Sequence, residues 1–184
     1  MDAGSRVIFG GSFDPPHMGH QLACLYLLEA CGAGAVWLVP VHAHPGGKSL
    51  ASFEHRLEMC RRLAAPFAGR VQVVDVESEL SGRGRTYDLL VHLRRRHPDA
   101  SFRLALGSDV LEKATGWYRW EDVKRLAPIV PLARGGHTVG TAAPINLPEV
   151  SSSEVRHRLA SGQSVEGLVP RSILAYIRQH ALYR

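Results

Sequence analysis

Short apolar runs alternate along this chain with longer stretches of helical periodicity. Val7-Ile8-Phe9 is an apolar run that stops at Gly10-Gly11, and beyond a proline-containing loop residues 18–31 carry apolar side chains at helical spacing. The segment reads as strand, glycine turn and helix. Residues 35–41 (AVWLVPV) read as a buried strand, 42–52 as a loop and 53–65 as a helix. The same logic gives a strand at 71–76, a helix at 87–96, a strand at 102–106, a helix over 121–126 and a strand at 129–133. A glycine-rich loop at 134–140 then precedes two closing helices, 152–161 and 171–180. Strands alternating with helices predict an α/β fold with a doubly wound parallel sheet. In such a sheet ligands lie outside the carboxyl ends of the strands, near the point where strand order reverses. The loops after Phe9, Val41 and Leu106 are therefore the candidate site.

The 184 residues, 45% of them hydrophobic, suffice for one packed core. No repeat, low-complexity tract or boundary divides them, so a single domain over 1–184 is expected. A formal charge of +5 and a pI near 9.4 call for an anionic partner: nucleic acid, an acidic membrane surface or a phosphorylated metabolite. Arg94-Arg95-Arg96 suits a solvated helix end. This run and the Arg83/Arg85 pair are interrupted by acids and lack the interleaved aromatics of a single-strand surface, so no nucleic-acid partner is expected. Three cysteines, an odd number, argue against a disulfide framework and for a reducing compartment. Cys24 and Cys31, seven apart, read as core residues. No apolar stretch approaches the roughly 20 residues of a membrane span, so no membrane partner is expected and the expected location is cytoplasmic.

The most informative segment is Gly10-Gly11-Ser12-Phe13-Asp14-Pro15-Pro16-His17-Met18-Gly19-His20. The glycines permit close ligand approach, and Pro15-Pro16 stiffens the entry to the helix. His17 and His20, three apart at the helix start, project to one side, with Gly19 keeping the space between them open. Unpaired N–H groups at a helix N-terminus beside two imidazoles make a site for phosphate oxygens. There is no G-x-G-x-x-G and no Walker lysine motif, which speaks against a dehydrogenase or a P-loop ATPase. A metal site joining His42 and His44 to this pair is the rival reading, but no carboxylate sits at ligand spacing and no protein-held metal is expected. Near the C-terminus, Ser151 and Glu154 form an S-x-x-E capping box on the helix carrying Arg156, and such a helix start is also a phosphate cradle. Trp117, Tyr118 and Trp120 fit either packing or a ligand box, and Asp109 fits either a helix N-cap or an acceptor for ribose hydroxyls.

GGSFDPPHMGH resembles the signature loop of the H-x-G-H nucleotidyltransferases, especially the bacterial nicotinate-nucleotide adenylyltransferases. Lys48 with Ser52-Phe53-Glu54-His55-Arg56-Leu57 resembles that family's lysine loop and following helix, and Thr86-Tyr87-Asp88 its T-x-D element. Gly107-Ser108-Asp109 with Trp117-Tyr118-Arg119-Trp120 resembles its G-x-D and W-x-R-W elements, and Val150-Ser151-Ser152-Ser153-Glu154-Val155-Arg156 its I-S-S-T-x-I-R motif. The blocks occur in family order. The chain departs from the pattern in lacking Pro-His-Lys before Lys48 and in carrying Ser153 for threonine.

The resemblance implies a Rossmann-like fold and transfer of the adenylyl group of ATP to nicotinate mononucleotide. Nicotinamide mononucleotide or phosphopantetheine is the alternative acceptor, and a catalytically silent nucleotide-binding regulator the alternative class. It implies His17, His20, Lys48 and Arg156 as catalytic residues. Gly10, Gly11, Ser12, Phe13, Gly107, Asp109, Ser151 and Ser152 join His17, His20 and Arg156 around ATP. Ser12, Lys48, Thr86, Trp117, Tyr118 and Arg134 are expected at the second substrate. Mg²⁺ is expected as Mg·ATP, held by phosphates and water. The partners are then two small molecules, ATP and a mononucleotide.

Overall fold

The computed structural model describes residues 5–42, 50–80, 84–133 and 147–184. Strand β1 (Ser5–Gly11) is buried on both sides, Val7 and Phe9 facing one layer and Ile8 the other. Helix α1 (Met18–Glu29) leads to β2 (Ala35–Pro40), and α2 (Phe53–Ala64) to β3 (Val71–Val73). Helix α3 (Thr86–Arg96) precedes β4 (Ser101–Gly107), and the short α4 (Ser108–Ala114) and α5 (Trp120–Leu126) precede β5 (Ile129–Leu132). Helices α6 (Ser152–Ala160) and α7 (Arg171–Gln179) close the chain.

All strand pairs are parallel and the order is β3-β2-β1-β4-β5. The chain winds outward from β1 through β2 to β3, then crosses back to place β4 on the other side of β1, with Phe9 paired to Leu38 and to Ala105. The order therefore reverses between β1 and β4, which fixes where a ligand crevice opens. One face of the sheet packs Val7, Phe9 and Leu38 against Leu27, Met59, Leu63, Ile173 and Ile177 of α1, α2 and α7. The other packs Ile8, Trp37 and Leu104 against Leu90, Leu93 and Val123 of α3 and α5.

The departures from expectation are local. Gly10 and Gly11 do not form a turn: they remain in β1, paired with Val39 and Pro40, and the chain leaves the sheet at Ser12. Strand β3 stops at Val73 because it lies at the sheet edge, and the chain then enters a 3₁₀ turn at Glu77–Glu79. Helix α4 had no place in the predicted element order. Cys24 is fully buried, but Cys31 lies past the end of α1 and is only half-buried. Arg94, Arg95 and Arg96 form the exposed last turn of α3 as expected, with Arg96 paired to Glu79.

Candidate active site

A cleft of about 560 Å³ opens at the reversal point between β1 and β4. Its walls include Gly10, Gly11, Ser12, His17 and His20 from β1, the first loop and α1. Thr86 at the start of α3, Gly107 and Asp109 at the junction of β4 and α4, and Trp117 with Tyr118 complete it. The size suits a small-molecule site.

The histidines are organised by their own helix. His17 is the N-cap of α1 in extended conformation, and its backbone N–H donates to His20 Nδ1 at 3.1 Å. A neutral His20 ring therefore carries its proton on Nε2. The two rings stack at 3.7 Å between centroids with 31° between planes, and Phe13 meets His20 edge-on at 4.9 Å. His17 is 2% exposed, so ring positions are fixed by packing as well as by the hydrogen bond. A Cβ on Gly19 would lie 3.1 Å from the His17 ring, which accounts for glycine there.

The open helix start expected from sequence is mostly closed. The Met18 N–H donates to Leu168 O at 2.8 Å and the His20 N–H to His17 O at 2.9 Å. The Gly19 N–H is the first-turn donor left without a partner among the described residues, and Gly19 lines the cleft. Phe13 does not line it: its ring is 1% exposed, with φ +48° turning it beneath His20 and against Gly11, where a Cβ would meet the ring at 3.3 Å.

Ser151 caps α6 by accepting from the Glu154 N–H at 3.1 Å. The reciprocal half of the predicted box is not made, because the Glu154 carboxylate binds Arg158 at 2.6 Å. Ser152 donates to Pro15 O at 2.9 Å, and Arg156 donates to Asp14 O at 2.6 Å and to Ser153 Oγ at 3.3 Å. The start of α6 is thus fastened to the first loop, and Ser151, Ser152 and Arg156 stand beside the cleft rather than in its wall.

Asp109 lies in the first turn of α4, whose N-cap is Gly107, so the N-cap reading of this aspartate is corrected. Trp117 lines the cleft while packing edge-on against Trp120 at 5.8 Å. Tyr118 lines the cleft at 50% exposure, whereas Trp120 stays in the core layer. His42 packs on Phe53 at 4.8 Å and takes no part in the wall. Lys48, His44 and Arg134 lie outside the described residues. No group of three or more His, Cys, Asp or Glu converges as a metal site among the described residues.

Sequence reasoning missed the polar groups that hold the first loop. Asp14, 1% exposed, accepts from Ala51 N–H at 3.1 Å and from Tyr183 O–H at 2.7 Å, with Arg156 at 3.6 Å from its other oxygen. Burial and the bond to Asp14 push the Tyr183 phenol far above its ordinary pKa, so it remains a donor. Arg56, also 1% exposed, donates to Ala51 O, Ser12 O, Val41 O and His42 O at 2.8–3.1 Å. Glu77 is a buried carboxyl in the cleft wall, and burial pushes its pKa up.

A family profile described as cytidylyltransferase-like matches residues 8–158. A chain of Anaeromyxobacter dehalogenans named "probable nicotinate-nucleotide adenylyltransferase" is 45% identical over 188 aligned positions, covering 100% of both chains. One of the same name from Myxococcus xanthus is 38% identical over 96% of this chain and 93% of its own. The solved Plasmodium falciparum nicotinic acid mononucleotide adenylyltransferase, complexed with NaAD, superposes with a TM-score of 0.83 at 25% identity over 97% of each chain. With the family profile and these full-length relatives, the fold and the cleft at its reversal point belong to the nicotinate-nucleotide adenylyltransferase family of cytidylyltransferase-like nucleotidyltransferases, and this chain is one of its members.

Proposed function

We propose that this chain transfers the adenylyl group of ATP to nicotinate mononucleotide, forming nicotinate adenine dinucleotide and pyrophosphate. The observation that carries this reading is one cleft with stacked imidazoles in one wall and the Trp117-Tyr118 pair with Thr86 in another. The imidazoles suit a reacting phosphate and the aromatic pair a flat ring.

The 5′-phosphate of the acceptor is already anionic at neutral pH, so its oxygen attacks the α-phosphorus without a strong base. The new P–O bond forms as the bond to the β-phosphate oxygen breaks, and pyrophosphate leaves with that electron pair. Catalysis then rests on positioning and on stabilising charge. His20 donates from Nε2 to an α-phosphate oxygen, His17 holds that ring, and the Gly19 N–H adds a donor. Arg156, Ser151 and Ser152 serve the β and γ phosphates, and Lys48 the incoming phosphate. Gly10, Gly11, Ser12, Gly107 and Asp109 border the nucleotide, with Asp109 accepting from ribose hydroxyls; Phe13 acts through its packing on His20. Thr86, Trp117 and Tyr118 hold the pyridine end, and Arg134 is assigned to the second substrate on the family resemblance alone. Mg²⁺ enters as part of the substrate, Mg·ATP. The free cysteines suit a reducing, cytoplasmic setting, and no helix among the described residues is long and apolar enough to cross a membrane.

The test is to supply Mg·ATP with nicotinate or nicotinamide mononucleotide and follow pyrophosphate and dinucleotide together. Strong preference for the acid is expected. Turnover of phosphopantetheine instead would keep the chemistry and remove the acceptor assignment, and ATP binding without turnover on any acceptor would favour the silent regulator.

A further inference from the structure

Arg85, one of the basic residues left unassigned by the sequence, is the only lysine or arginine among the described residues lining the cleft. It is the N-cap of α3 and precedes Thr86. Its guanidinium lies over the Tyr118 ring, 4.2 Å from the centroid. It makes no ion pair with a carboxylate of the described residues, the cleft-lining Glu77 and Asp109 included. Arg119 differs on both counts: it lies over Tyr87 at 4.2 Å, outside the cleft wall, and donates to Asp122 at 2.6 Å.

The sheet separates the two ends of the cleft. His17 and His20 belong to α1, on the face packed by α1, α2 and α7, whereas Arg85 caps α3 on the opposite face. Arg85 therefore shares the wall of Thr86, Trp117 and Tyr118, away from the histidines that handle phosphate. A guanidinium lying on an aromatic face keeps its edge donors for a planar acceptor, and two parallel N–H groups match a carboxylate.

We infer that Arg85 binds the carboxylate of the acceptor's pyridine ring and so sets the preference for acid over amide, an inference that rests on the function proposed above. The amide isostere offers no negative charge, and its NH₂ opposes another donor.

Steady-state kinetics of wild type, Arg85→Gln and Arg85→Lys with both mononucleotides at saturating Mg·ATP test it. Arg85→Gln is expected to lower kcat/KM for the acid on the order of 10- to 100-fold, chiefly through KM, the worth of a charge-assisted hydrogen bond. The amide acceptor and KM for ATP are expected to hold, and Arg85→Lys to recover part of the loss. An equal fall with both acceptors would make Arg85 a structural residue and overturn the inference, as would an unchanged acid-to-amide ratio. A wild-type protein that uses neither acceptor would remove the proposed function itself, a result read before any variant is made.

Discussion

Replacing Arg56 by methionine tests whether the site is held in shape by a buried cation. Methionine keeps most of the aliphatic volume and deletes the guanidinium, so the main loss is the four hydrogen bonds donated to Ala51, Ser12, Val41 and His42 carbonyls, beside a contact of the guanidinium with the Phe53 ring at 5.3 Å. A carbonyl stranded away from water costs about 1–3 kcal/mol. All four of these residues are at least partly exposed, so the low end of that range applies. Against that loss, the variant no longer buries a cation, whose desolvation already holds the Arg56 pKa below the usual guanidinium value. The net expectation is a loss of about 3 kcal/mol. For a chain of this length that lowers Tm by about 6–12 °C. Because Ser12 and Val41 also line the cleft, kcat/KM measured well below the transition should fall on the order of 10-fold. Calorimetry and steady-state assays on the same preparation provide both readouts. A Tm within about 2 °C of wild type together with unaltered kinetics would show that these segments hold their positions without Arg56, and the reasoning would be refuted.

Removing the ring in His20→Ala should lower kcat on the order of 10²-fold or more, the effect of losing an electrostatic stabiliser; near-normal turnover would take His20 out of the chemistry. Gly19→Ala places a methyl 3.1 Å from the His17 ring, so kcat should fall on the order of 10-fold while the melt changes little, and full activity would mean that the stacked rings tolerate displacement. Glu77 carries a pKa raised above 4.5 by burial, so between 4.5 and its folded value the folded chain keeps a proton that the unfolded chain has lost. Stability falls as pH rises through that window and stays reduced above it. Glu77→Gln should therefore melt higher than wild type at pH 8 and show no gain at pH 4, whereas a lower melt at pH 8 would mean an ionised, partnered carboxylate.

What was legible in the sequence follows from which interactions leave a periodic trace. The five strands and the helices around them were readable because burial on both faces demands continuous apolar runs, as in Val36–Val39, and the layers beside them demand helical spacing. Helix α4 was not, since seven residues span barely two turns and only Ser108 and Ala114 are buried. The length of β3 was misread because Val74 and Val76 continue the apolar pattern after the ladder ends; Val74 N–H still bonds Leu38 O at 2.9 Å, and Val76 is buried in the core layer. At the site, His17 and His20 were legible through their spacing and glycine neighbours. Arg56 was not: its partners are backbone carbonyls, which every residue offers and no sequence position advertises. Asp14 likewise meets Tyr183, 169 positions away in the chain.

Those unadvertised groups explain how a loop can support chemistry that depends on position. Between Gly11 and His17 the first loop belongs to neither sheet nor helix, so no ladder fixes it. It is held by side chains from outside: Arg56 of α2 takes the Ser12 carbonyl, Ser152 and Arg156 of α6 take those of Pro15 and Asp14, and Tyr183 takes the Asp14 carboxylate. Most of these bonds bind charged or backbone groups in surroundings poor in water, where a satisfied network rigidifies and a broken one is costly. The histidine pair inherits that rigidity, because His17 follows the loop directly and His20 is aligned by the His17 N–H. Arg156, expected from sequence at the leaving phosphates, is seen here holding the loop through Nη1, with its side chain 35% exposed. If Arg156 also serves the leaving phosphates as proposed, phosphate binding and loop placement are coupled through one residue, and Arg156→Lys should lower both kcat/KM and the melting temperature.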